Sequence, residues 1–173
     1  ARDHRRVLVE RNGAIVDLDG SSPVYFKNIE PGLYTIAVRH RNHLGISTEP
    51  AAITPLVDVN ATGPIVDFSD LPSTLIFGTD NAYASAGNIR MLWAGNANAN
   101  GNVRYNGPSN DRDHLLSVLL GGNQGTILND VYNNGDFNMN RVVRYNGPSN
   151  DRDFLLAAVL ASVQGTIRTQ ELP

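Results

Sequence analysis

Val103-Arg104-Tyr105-Asn106-Gly107-Pro108-Ser109-Asn110-Asp111-Arg112-Asp113 is spelled a second time, residue for residue, from Val143 to Asp153. The correspondence extends beyond this core in both directions. Asn96, Asn98 and Asn100 align with Asp136, Asn138 and Asn140, and Gln124-Gly125-Thr126-Ile127 aligns with Gln164-Gly165-Thr166-Ile167. Each copy opens with oxygen-bearing side chains at alternate positions and ends on carboxylates that begin an apolar run. Such spacing wraps a hard cation in oxygen, so Ca2+ is the expected ligand.

In the second copy Asp136, Asn138 and Asn140 take the first, third and fifth places of an EF-hand-like loop. Val142 falls where such a loop offers a backbone carbonyl, and Val143 turns inward as its anchor. Ca2+ takes about six to eight oxygens, so a carboxylate must come from beyond the loop. Tyr145 to Asn150 delays it, and the first acid is Asp151. The Asn146-Gly147-Pro148 turn can bulge outward while Ser149 or Asn150 caps a helix whose first turn carries Asp151 and Asp153. Leu155, Leu156, Val159 and Leu160 follow at helical spacing. Asp151 is the expected main carboxylate ligand, with Asp153 an auxiliary ligand or a capping group.

The first copy offers Asn96, Asn98, Asn100, the Asn102 carbonyl, and Asp111 with Asp113. Its neutral Asn96 leaves it one carboxylate short, so the 136–153 site is expected to bind more strongly. Gly101 supplies a sharp turn where the second copy has Arg141.

The amino-terminal stretch reads as short strands between turns. Arg6–Glu10 and Ala14–Leu18 flank Asn12-Gly13, a hairpin signal. Further strands are expected at Pro23–Ile29, Leu33–His40, Ile46–Thr48, Ala52–Val59, Ile65–Phe68, Thr74–Phe77 and Ile89–Trp93, with a Pro31-Gly32 turn. The expected class is mainly β with a small α part: an antiparallel β-sandwich over residues 1–93, then a two-loop, two-helix module over 94–173. His40 and His43, three apart, are of a type that ligates transition metals. With no third ligand nearby they read as a polar strand end. Asn60-Ala61-Thr62 is a formal glycosylation sequon.

Composition narrows the function. A net charge of −3 with scattered basic residues gives no footprint for nucleic acid. No apolar run approaches the roughly 20 residues of a membrane span. The absence of cysteine excludes disulfides and thiolate chemistry. Phosphate loops, nucleophile elbows and zinc-protease helices are absent, so no enzyme is expected. Five Asn-Gly pairs and carboxamide ligands suit a calcium-rich extracellular setting, and a start at Ala1 suits a processed product.

Three resemblances add to this reading. The paired Asp-x-Asn-x-Asx loops, each leading to a helix, resemble dockerins, duplicated calcium modules of secreted bacterial proteins. The likeness covers residues 94–162 and implies ligands at Asn96, Asn98, Asn100, Asn102 and Asp111, and at Asp136, Asn138, Asn140, Val142 and Asp151. It also implies a cohesin-like protein partner. Phe26 to Ile36 resembles a turn of transthyretin-like and collagen-adhesin B-type sandwiches, some of which carry a lysine–asparagine isopeptide bond; Lys27 is the sole possible donor here. Val16–Gly20, Val38–Gly45 and Met91–Asn96 are similar to phrases near the carboxyl end of large secreted proteins of Bacteroidetes-type bacteria.

Thr166 to Leu172 reads as an extended tail. Through Thr166, Ile167, Thr169 and Leu172 it could pair with an edge of its own sandwich or add to a neighbour's sheet. The expected function is therefore a secreted, calcium-binding structural protein, a building block of a surface or matrix filament joined head to tail into a homopolymer. The alternative is a dockerin-like docking or adhesion module.

Overall fold

A computed structural model of the chain describes residues 4–10, 13–26, 34–50, 66–79 and 81–173. The chain divides into two compact units, Ala1–Tyr34 with Ile53–Val66, and Thr35–Ala52 with Asp67–Pro173. Residues 35–52 and 67–93 thus share a unit with the repeats. The architecture is mainly β with two short helices. Among the described residues no helix is long and apolar enough to cross a membrane.

In the first unit, β1 (Leu8–Val9) and β2 (Ile15–Val16) form the expected hairpin, with Leu8 opposite Val16. Gly13 takes the positive φ that the turn requires. An Arg5–Asp17 ion pair at 2.8 Å closes its open end. Pro23–Phe26 is irregular. The rest of that expected strand, Ala52–Val59, the Pro31-Gly32 turn, Lys27 and Asn60 lie outside the described residues.

The second unit begins with β3 (Ala37–Val38) and β4 (Ile46–Ser47), which pair antiparallel around the turn that carries His40 to His43. A 3-10 turn at Ser73–Leu75 replaces the first half of the strand expected over Thr74–Phe77. Pro72 begins it with φ −50°, and Ile76 alone reaches a bridge, with Thr48. A hairpin of β5 (Ala84–Ala86) and β6 (Ile89–Met91) follows. Ile46, Ile76 and Ala82 form a small core with Val38, Phe68, Leu71, Tyr83 and Leu92 around it.

The repeats contribute β7 (Asn102–Arg104), α1 (Asp111–His114) and β8 (Ile127–Asn129), then β9 (Val142–Arg144), α2 (Asp151–Phe154) and β10 (Ile167–Thr169). Each helix is a single α-turn that widens into a π-helical turn, at Leu115–Leu119 and Leu155–Val159. Gly121 and Gly122 end the first with positive φ; Ala161 and Ser162 hold the same left-handed conformation in the second.

Strand pairing crosses between the copies. β7 of the first repeat pairs with β10, which follows the second helix, and β9 pairs with β8, which follows the first. Ile167 stands opposite Arg104 as Ile127 stands opposite Arg144. The tail therefore pairs within its own chain, with the exit strand of the first loop, where an edge of its own sandwich or a neighbour's sheet was the expectation. The alternation of Ile167 and Thr169 makes a strand, and β7 offers it an unpaired ladder after the loop.

One core joins the two repeats. Val103, Val143, Leu115 and Leu155 are fully buried, with Leu44, Leu160 and Phe137 packed among them. Gly95 and Gly135, one before each loop, mark where the copies touch. A Cβ on Gly95 would lie 2.6 Å from Leu155, and one on Gly135 would lie 2.9 Å from Leu115.

Candidate metal centre

Each bulge swings out and the helix start returns an acid to its loop, so Asp111 and Asp151 are both fully buried. Asp111 accepts from the backbone N–H of Ala97 and of Arg104, each at 2.9 Å. Asp151 accepts from Phe137 and Arg144 at 2.8 and 3.0 Å. These two bonds tie the second residue of each loop to its exit strand through one carboxylate. Burial pushes Asp111 up to about 7 against the pull of its N–H donors. Burial also raises Asp151, to about 6, with the Asp136 charge adding to the rise. Both are interior carboxylates that a cation would hold ionised.

The loop carboxamides are oriented by their own nitrogens. Asn98 and Asn100 both donate to the Ser109 carbonyl, at 2.7 and 3.1 Å. Asn138 and Asn140 donate likewise to Ser149, at 2.8 and 3.5 Å. The oxygens consequently face the loop backbone, where Asn98 accepts from Asn100 N–H and Asn100 from Asn102 N–H. Asn138 and Asn140 repeat the pattern with Asn140 and Val142. The Asn102 side chain is turned to the tail, accepting from the Thr169 hydroxyl, which leaves its carbonyl as the group it can offer.

The first position separates the loops. Asp136 is buried and accepts from the N–H groups of Asn140 and Arg141 at 2.9 and 3.0 Å, with Arg41 3.6 Å away. Asn96 is buried too, but its Oδ1 has no hydrogen-bond donor. A buried acceptor left without a donor is costly, and a cation would satisfy it. At the sixth position Arg141 takes φ 70°, close to the 78° of Gly101, so the second loop keeps the same turn with a side chain on it.

Asp113 and Asp153 sit in the first helical turn, bonded to the capping asparagines Asn110 and Asn150. Asn110 Oδ1 accepts from Asp113 N–H, and Asn110 Nδ2 donates back to Asp113 Oδ2, both at 2.8 Å. Arg112 holds the other carboxylate oxygen. Asn150, Asp153 and Arg152 reproduce this arrangement. These contacts draw both acids below the usual carboxylate range, the Asn cap contributing most.

Asn42 is the residue that sequence reasoning missed. Fully buried, it receives Gly95 and Asn96 N–H on its carbonyl, at 2.9 and 3.0 Å, and donates its Nδ2 to the Asp136 carbonyl at 2.7 Å. One side chain and one carbonyl thereby hold the entrances of both loops. No three His, Cys, Asp or Glu side chains gather at one point among the described residues. The candidate set is of another kind, in which carboxamide and carbonyl oxygens surround one or two acids. No protein-family model matches this chain, and neither a curated protein nor a solved structure shows a significant match.

Proposed function

We propose that the chain is an extracellular, non-enzymatic structural protein that binds two Ca2+ ions, one in each repeat. The observation that carries this is the delivery of one interior carboxylate to each Asx-lined loop, beside a buried Asn96 oxygen that lacks a donor. First-loop ligands are Asn96, Asn98, Asn100, the Asn102 carbonyl and Asp111. Those of the second are Asp136, Asn138, Asn140, the Val142 carbonyl and Asp151. With two acids to one, the second loop binds the ion more tightly. Calcium here stiffens loops whose buried carboxylates otherwise oppose folding.

The resemblance to dockerins supports the two-loop arrangement, and the alternation of short strands with turns in the sequence supports a sandwich in the amino-terminal part. Titration calorimetry and thermal unfolding test the calcium reading. Two Ca2+ should bind, and each site held at 100 times its dissociation constant should add about 2.7 kcal/mol. Asp151→Asn should remove the tighter site and Asp111→Asn the weaker. A melting temperature indifferent to both Ca2+ and EDTA would sink the proposal.

For the wider role we propose a building block of a surface or matrix assembly. Its head-to-tail contacts would use surfaces other than Ile167–Thr169, which are paired with Asn102–Arg104. The same pairing favours a second reading, a dockerin-like module docking to a cohesin-like protein. Electron microscopy with and without Ca2+ separates them: filaments indicate the first, dispersed single particles the second.

A further inference from the structure

Arg41 brings a positive charge to the second loop from outside it. The residue sits in the turn between β3 and β4, and its side chain is only 11% exposed. Nη2 lies 3.6 Å from Asp136 Oδ2, an ion pair too long for a hydrogen bond. Other contacts hold the guanidinium in place. Nε donates to the Asn133 carbonyl at 3.1 Å, and Nη1 lies 3.0 Å from His40 Nε2. Nη2 meets Met139 Sδ at 3.7 Å, and the Tyr132 ring stacks 3.8 Å away. Burial, and after it the Arg41 charge, draws His40 below the ordinary imidazole range, which leaves a neutral ring beside the guanidinium. Arg141, in the loop itself, differs: it is 71% exposed and faces an exposed Asp130, so solvent screens its charge.

A carboxylate buried as deeply as Asp136 is costly in an ion-free loop unless a counter-charge stands beside it. Arg41 is that counter-charge. The first loop meets the same difficulty with a neutral Asn96 at the corresponding position. What steadies the ion-free second loop opposes the ion. Ca2+ bonded to Asp136 at about 2.3–2.6 Å would lie within roughly 9 Å of Nη2. That is inside the Debye length of about 10 Å at 0.1 M salt, and buried charges are screened less than exposed ones. At an effective dielectric near 20, repulsion over that distance corresponds to more than about tenfold in affinity.

We propose, resting on the calcium reading of the loops, that Arg41 is a built-in counter-ion that sets the Ca2+ affinity of the second loop. It holds that affinity below what Asp136 and Asp151 alone would give. Two acids still favour the second loop over the first, and Arg41 narrows the difference. The determinant lies outside both repeats, some ninety residues before the loop it governs.

The test is a calorimetric Ca2+ titration of the full chain, of Arg41→Met and of Arg41→Gln, with the amide signals of Gly101 and Arg141 reporting on the two loops. Arg41→Met should tighten binding at the second loop by at least about tenfold and leave the first within about twofold. Arg41→Gln keeps a donor for the Asn133 carbonyl; it should act in the same direction, and it decides the matter if Arg41→Met does not fold. In EDTA both variants should melt at lower temperature, because Asp136 loses its counter-charge. A residue that only braced the turn would, once replaced, weaken Ca2+ binding. Weaker or unchanged binding at the second loop in a folded variant, or equal gains at both loops, would overturn the proposal while leaving the calcium reading intact. An unaltered chain that binds no Ca2+ would overturn both.

Discussion

Thr169 stands opposite Asn102 at the end of the β7–β10 ladder, and its hydroxyl reaches the Asn102 carboxamide oxygen at 3.1 Å. One residue on, Gln170 N–H donates to the Gly101 carbonyl at 2.8 Å, and Gln170 Oε1 accepts from Gly45. The exit of the first loop is thus held by residues some seventy positions away.

Deleting residues 166–173 should therefore weaken Ca2+ binding at the first loop far more than at the second, whose ladder is formed with β8. Calorimetry on the truncated chain checks this. Equal losses at both sites would mean that the ladder does not support its loop.

Arg141 is a non-glycine residue at φ 70°. Arg141→Gly should stabilise the calcium-free protein by about 1 kcal/mol, because the left-handed strain disappears. The Arg141–Asp130 ion pair lost with it is exposed on both sides and contributes little. Denaturant unfolding of the two proteins in EDTA gives the difference directly.

Stability should fall as pH rises without metal, and not with it. The folded pKa of Asp111 and Asp151 lies above the 3.8 of a free side chain, near 7 and 6. Without Ca2+ their contribution is complete below about pH 4. It is lost as pH rises from there through 6 to 7, at roughly 1.4 kcal/mol per carboxyl for each pH unit crossed. With Ca2+ bound, the ionised form is the stable one, so this loss should vanish. Melting temperatures from pH 5 to 8, in EDTA and in excess Ca2+, should diverge as pH rises.

Gly135→Ala should destabilise by about 1–3 kcal/mol through overpacking, because the added methyl meets Val143, Leu115 and Leu119 at 2.8, 2.9 and 3.0 Å. Thermal unfolding measures it. A neutral result would show that the two halves part readily at this contact.

Much of the candidate site was legible because its signals are local. Alternate Asx residues, a cap and an acid in the first helical turn lie within a single copy, and Asp111 and Asp151 return to the loops as their positions suggested. Strand partners are not local information. Alternation marks Ile167–Thr169 as a strand without saying that Asn102–Arg104 is its ladder. The apolar stripe from Leu155 to Leu160 promised a longer α-helix. Leu160 N–H instead bonds to the Leu155 carbonyl, five residues back, and this wider turn ends the helix early. Asn42 was overlooked for a similar reason, since both loop entrances it holds are remote in sequence.

The crossed ladders bear on how such a chain arises. Each forty-residue half lends its last strand to the other and borrows one in return, so neither closes on itself. A peptide bearing one half would find the missing strand only in a second molecule, as a twofold-symmetric exchanged dimer. The linker from Asp130 to Gly135 is then a covalent tether between two near-equivalent halves, fixing their stoichiometry while their loops differ at Asn96 and Asp136.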